Sequence, residues 1–101
     1  MSKYLLAYRG GGMAETDAER EAAMAAWGSW FGSLGQSVVD PGNPFGSSAT
    51  VGGSGNGAGA TLTGYSLLSA ESLAAARELA EGCPVLADGG SVEVYETIET
   101  M

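Results

Sequence analysis

Asp40 is the residue whose setting most invites chemistry. It ends a short apolar run, after Val38 and Val39, and precedes Pro41-Gly42-Asn43-Pro44-Phe45, a stiff polar turn that carries one aromatic ring. A carboxylate held before such a turn at a cleft mouth, if partly buried, binds its proton more tightly and becomes useful as a general base. The competing reading is a turn residue whose carboxylate accepts backbone N–H groups of its own turn and has no acid–base role. Tyr8 or Tyr65 would supply a hydrogen-bond donor beside it, and Trp27, Trp30 and Phe45 an apolar wall for a ligand. Packing is the alternative for these rings: Trp27, Trp30 and Phe31 recur at helical spacing, and tyrosines on strands pack against their neighbours.

What the chain lacks narrows the chemistry further. It has no histidine, and Cys83 is its single cysteine, so Ser-His and Cys-His nucleophile systems, a zinc cage and an intrachain disulfide are excluded. Neither a metal nor a cofactor is expected. Arg9-Gly10-Gly11-Gly12 shares only its glycines with a dinucleotide loop. Glu15 stands where the third glycine is needed, and Asp17, Glu19 and Glu21 would repel a pyrophosphate from the helix start. The tract from Gly52 to Gly59 lacks the Lys-Ser/Thr ending of a phosphate loop and is expected to be a mobile hairpin tip. A net charge of −8 opposes nucleic acid and anionic membranes as partners.

These candidates need a scaffold, and 101 residues, 45% hydrophobic and 16% charged, suffice for one folded domain over 1–101. Residues 3–9 alternate Tyr4, Leu6 and Tyr8 with Leu5, Ala7 and Arg9, a first strand covered on both faces. The apolar run within it is too short for a signal peptide or a membrane span, which makes the cytoplasm the expected compartment. Thr16-Asp17-Ala18-Glu19 fits a capping box in which Glu19 reaches back to Thr16, and Gly35 ends the helix that follows. Ala23, Met24, Trp27, Trp30, Phe31 and Leu34 share an arc of it, the expected buried face, while Gly28 and Gly32 lie off that arc and suggest a close approach to the backbone.

Strands are expected over 36–40 and 60–68, with pairing resuming at 48–51. A second helix is capped by Ser69, buries Leu73, Ala76, Leu79 and Ala80 and is stopped by Gly82 and Pro84. A last strand alternates from Val92 to Ile98. The order βαββαβ builds a ferredoxin-like α+β fold, an antiparallel sheet with two helices on one face. Because the strands read as apolar on both faces, a homodimer that covers the second face is expected.

Lys3-Tyr4-Leu5-Leu6, Ala26-Trp27-Gly28-Ser29-Trp30, Ser48-Ala49-Thr50-Val51, Gly64-Tyr65-Ser66, Cys83-Pro84 and Gly89-Gly90-Ser91-Val92-Glu93-Val94 together resemble the YCII-related family across nearly the whole chain. The resemblance implies a dimeric α+β barrel of ferredoxin-like protomers and, for members with a His and an Asp near the cleft, an enzymatic role. With no histidine here that pair is not carried over. Many relatives have an Asp-Gly-Pro-Phe stretch before the Gly-Tyr strand, where this chain has Ala58 to Thr63.

The favoured expectation is a small dimeric barrel protein with a cleft between its first helix and the sheet that takes a small apolar or aromatic molecule. The competing expectations are a cofactor-free isomerase, lyase or oxygenase with Asp40 as base, and a protein-interaction module without a small-molecule site.

Overall fold

The computed structural model of the chain describes residues 2–10, 15–49, 51–52 and 62–98. Its elements run β1 (Ser2–Arg9), α1 (Asp17–Leu34), β2 (Val38–Asp40), β3 (Leu62–Ala70), α2 (Leu73–Ala80) and β4 (Ser91–Glu96), with short 3-10 turns at Gly35–Ser37 and Pro84–Leu86. The strands form one antiparallel sheet in the order β2-β3-β1-β4. This is the ferredoxin-like arrangement expected from the βαββαβ order.

Strand alternation decides the faces. Tyr4, Leu6 and Tyr8 of β1, paired with Leu68, Ser66 and Gly64 of β3 and with Glu96, Val94 and Val92 of β4, point toward the helices. There Leu6, Tyr8 and Leu68 pack with Trp30, Ala80, Cys83 and Val85, while Tyr4 packs with Ala70 and Ala76. The opposite face carries Leu5, Ala7 and Arg9 beside Leu67, Tyr65, Tyr95 and Glu93. No described element covers that face.

Local signals set most element ends. Thr16 Oγ1 accepts the Glu19 N–H at 3.0 Å, and Gly35, at φ 57°, closes α1 with its N–H on the Phe31 carbonyl. The reciprocal bond of the capping box goes one residue further back than expected: Glu19 Oε2 accepts from the Glu15 N–H at 2.8 Å, not from Thr16. The second helix is capped by Ser72, whose Oγ accepts the Ala75 N–H at 3.1 Å, and not by Ser69. Ser69 belongs to β3, paired with Lys3, because continuing the strand buries Ala70 against Tyr4 and Ala76. Of the expected buried side of α2, Ala76 and Ala80 are buried and Leu73 is exposed.

The remaining differences lie at edges. β4 stops at Glu96, opposite Tyr4 of β1, two residues short of the expected end: Thr97 still donates its N–H to the Lys3 carbonyl at 2.9 Å, but Ile98 is 80% exposed. Residues 48, 49 and 51 form no strand. The chain after β2 instead stays beside β3 at residues 43–45, through a Pro44–Gly64 bridge and a Phe45 N–H to Thr63 carbonyl bond of 2.9 Å. An edge tolerates Pro44, which has no N–H to donate. The expected hairpin tip falls, apart from Gly52, outside the described residues. Among the described residues nothing approaches within 4 Å of a Cβ placed on Gly28 or Gly32 of α1. Of the expected buried face, Trp30 is enclosed, Ala23, Trp27, Phe31 and Leu34 are half-buried, and Met24 is 70% exposed.

Candidate functional site

Half-burial of α1 has a geometric cause. Where β1 ends and β3 begins, a cleft of about 500 Å³ separates the helix from the sheet. Ala23, Met24, Trp27 and Phe31 line its helix side, Tyr8, Thr63 and Gly64 its sheet side, and residues 41–44 a third wall, with Val85 and Asp88 at one end.

The third wall is held against β3 by contacts that admit no side chain at Gly42 and leave little room for one at Gly64. A Cβ on Gly42, which sits at φ 76°, would stand 1.8 Å from the Tyr65 carbonyl oxygen. On Gly64 it would stand 3.2 Å from the Asn43 carbonyl oxygen and 3.5 Å from the Tyr8 ring. Beneath them the Tyr8 hydroxyl donates to Ser66 Oγ at 2.7 Å, and Ser66 donates to the Pro41 carbonyl at 2.6 Å. Burial pushes the Tyr8 phenol well above its ordinary range, and also lifts the neighbouring Cys83 thiol to about 11. Both groups therefore stay protonated at neutral pH. The Tyr8 hydroxyl is spent on Ser66, so Tyr8 offers the cleft its ring.

Trp27 is the centre of the aromatic packing. Its ring meets Tyr8 edge-on (5.1 Å, 71°), Trp30 edge-on (5.7 Å, 77°) and Phe31 at a tilt (5.9 Å, 36°). Trp30, three residues on, turns into the core, and its Nε1 donates to the Leu79 carbonyl at 3.1 Å.

The residues singled out from the sequence thus separate into groups. Tyr8 and Trp27 meet at the cleft, and Trp30 packs beneath it in the core without lining it. Tyr65 contributes to the lining, but alternation from the inward Ser66 sends its ring to the other face of the sheet. There it stacks on Phe45 at 5.8 Å and 21°, and its hydroxyl lies 3.5 Å from Asp40 Oδ2. Phe45 and Asp40 are outside the cleft lining. Asp40 is exposed rather than partly buried, and its Oδ1 accepts the Gly42 N–H at 2.8 Å. The turn-residue geometry is the one adopted, for the physical reason that a carboxylate two residues before a glycine reaches that N–H without strain.

Several lining residues carried no signal strong enough to single them out. Arg20 and Asp88 are ordinary surface charges by sequence. Ser66, which lies beneath the wall and outside the lining, had one: it is the lone hydroxyl on the inward register of β3, between Gly64 and Leu68. Among the described residues no group of three or more His, Cys, Asp or Glu side chains could hold a metal ion, and no helix is long and apolar enough to cross a membrane.

The family model for the YCII-related domain matches residues 1–100. The chain belongs to the YCII-related family. Comparison with curated proteins and with solved structures finds no match.

Proposed function

We propose that this chain is a small-molecule-binding protein whose α1 cleft takes one planar apolar or aromatic ligand. The observation that carries the reading is Trp27, a half-buried indole on a concave apolar surface, flanked by Phe31 and by a Met24 that is 70% exposed. Pockets for small ligands combine such walls with a few polar groups, and here Asn43, Arg20 and Asp88 supply them. An acid–base role for Asp40 finds less support, since its carboxylate is turned into its own turn and lies outside the cleft.

The proposal includes self-association through the uncovered face of the sheet, where Leu5, Ala7 and Leu67 form an apolar centre. Leu5 and Leu67 are half-exposed there on either side of a buried Ala7, and a second copy of the face would remove that exposure.

A thermal-shift screen against small aromatic molecules tests the ligand reading. A ligand present at about a hundred times its Kd stabilises the fold by about 2.7 kcal/mol, and Trp27→Ala should remove that shift. A screen without any stabilising compound would favour the interaction-module reading instead.

A further inference from the structure

Two side chains that are charged at neutral pH line the cleft among its described residues, Arg20 and Asp88, and they are not equivalent. The Arg20 guanidinium, in the first turns of α1, is engaged by Asp17, with Nη1 3.2 Å from Oδ1. Its charge is offset on its own helix. The Asp88 carboxylate has neither a hydrogen bond nor an ion pair among the described residues. Counting Asp17 with the Arg20 it pairs, the charges at the cleft sum to −1, in a chain whose net charge of −8 draws cations toward it from a distance.

The aromatic walls favour the same sign of ligand. Trp27 and Tyr8 stand at 71° to each other with centroids 5.1 Å apart, so they form adjacent rather than parallel walls, with Phe31 beside Trp27. Ring faces carry the negative part of the aromatic quadrupole, and indole is the strongest partner for a cation among them. An anionic ligand would find the one cation among the cleft's described residues already paired and Asp88 opposing it.

Building on the cleft proposed above, the geometry points to an organic cation as the ligand class: an alkyl- or arylammonium whose apolar body packs on Trp27, Phe31 and Met24 while its ammonium group faces Asp88. A neutral aromatic of the same shape fills the same walls but leaves the carboxylate without a partner.

Three probes with a common ring separate the possibilities: benzylamine, protonated at pH 7, benzyl alcohol and benzoate. Each is titrated into the full chain while the Trp27 indole signal is followed by NMR. Benzylamine should bind about fivefold or more tightly than benzyl alcohol, and benzoate more weakly than either. Raising the salt to about 0.5 M should narrow the gap between benzylamine and benzyl alcohol, and Asp88→Asn should close it. Equal affinity for benzylamine and benzyl alcohol, or benzoate as the tightest probe, would overturn the cation assignment while leaving the cleft reading intact. A gap that survives Asp88→Asn would overturn Asp88 as the counter-charge. If none of the probes moves the Trp27 signal, the cleft reading itself fails and the cation assignment falls with it.

Discussion

The hydroxyl of Tyr8 donates to Ser66 Oγ at 2.7 Å, and Ser66 in turn donates to the Pro41 carbonyl at 2.6 Å, so one serine on β3 joins the end of β1 to the segment that walls the cleft. The two side chains are not equally replaceable. Tyr8→Phe removes one donor and leaves the Ser66–Pro41 bond, an expected loss of about 0.5–1.5 kcal/mol. Ser66→Ala removes both bonds of the relay and takes from the buried phenol its Ser66 acceptor, at about 1–3 kcal/mol. Urea denaturation of the two variants should therefore rank Ser66→Ala as the more destabilised; the reverse order would show that the relay does not hold the wall.

Gly28 and Gly32 make a second prediction possible because their surroundings are open. Among the described residues a Cβ at either position meets nothing within 4 Å, and neither is among the glycines at positive φ. Replacing either with Ala lowers the backbone entropy of the unfolded chain without a clash, a gain of about 0.5–1 kcal/mol each. For a domain of this size that is a rise of several degrees in Tm, about 4–8 °C per kcal/mol. A fall in Tm for either variant would mean that something packs on this side of the helix in solution.

The ends of α1 were legible because Thr16 and Gly35 act locally, through a hydroxyl on Glu19 N–H and a left-handed closing residue. The strand β1 was legible from its apolar residues, but both of its alternating sets read as apolar, and only the packing shows Tyr4, Leu6 and Tyr8 to be the inward one. The cap of α2 was not legible, since Ser69 and Ser72 are alike as local signals; burial of Ala70 between Tyr4 and Ala76 decides between them, and that is a tertiary fact. The same limit governs the site. Trp27 and Trp30 share a helical stripe, yet one meets the gap beyond the strands and the other meets Ala80 and Cys83. Whether Tyr65 joins Tyr8 or Asp40 depends on the register of β3, one residue of which exchanges the faces of the sheet.

Glu93 carries a pH signature. On the open face its carboxylate accepts from Arg9 Nε and from the Tyr95 hydroxyl at 3.1 Å, and these bonds, the Arg9 one foremost, hold its pKa below the ordinary glutamate value of 4.5. The folded state therefore gives up this proton more readily than the unfolded state, and stability rises with pH through that window. The contribution is present above the ordinary glutamate value and is lost as pH falls through the lowered one. The stability difference between wild type and Glu93→Gln should be visible at pH 7, shrink with added salt because the pair is solvent-exposed, and vanish at strongly acid pH. A difference that persists unchanged into acid would mean that packing, not charge, distinguishes the variants.

The uncovered sheet face leads to the last prediction. Leu5 and Leu67 are direct cross-strand partners there, next to the Ala7–Tyr65 pair, and the Arg9–Glu93 ion pair and Tyr95 flank them. An apolar centre with a polar rim is the anatomy of a protein interface, and a two-fold contact would place each Leu67 against the partner's copy of the same patch. Light scattering at micromolar concentration should therefore return a mass twice that of the chain. Leu67→Lys places a charge in the middle of the patch, where burial without a partner is strongly unfavourable, and should yield monomers while retaining the far-UV dichroism of the fold. The half-exposed setting of Leu67 makes that variant compatible with a folded protomer. A wild-type mass equal to one chain, or a Leu67→Lys variant that remains dimeric, would place the contact elsewhere or remove it altogether.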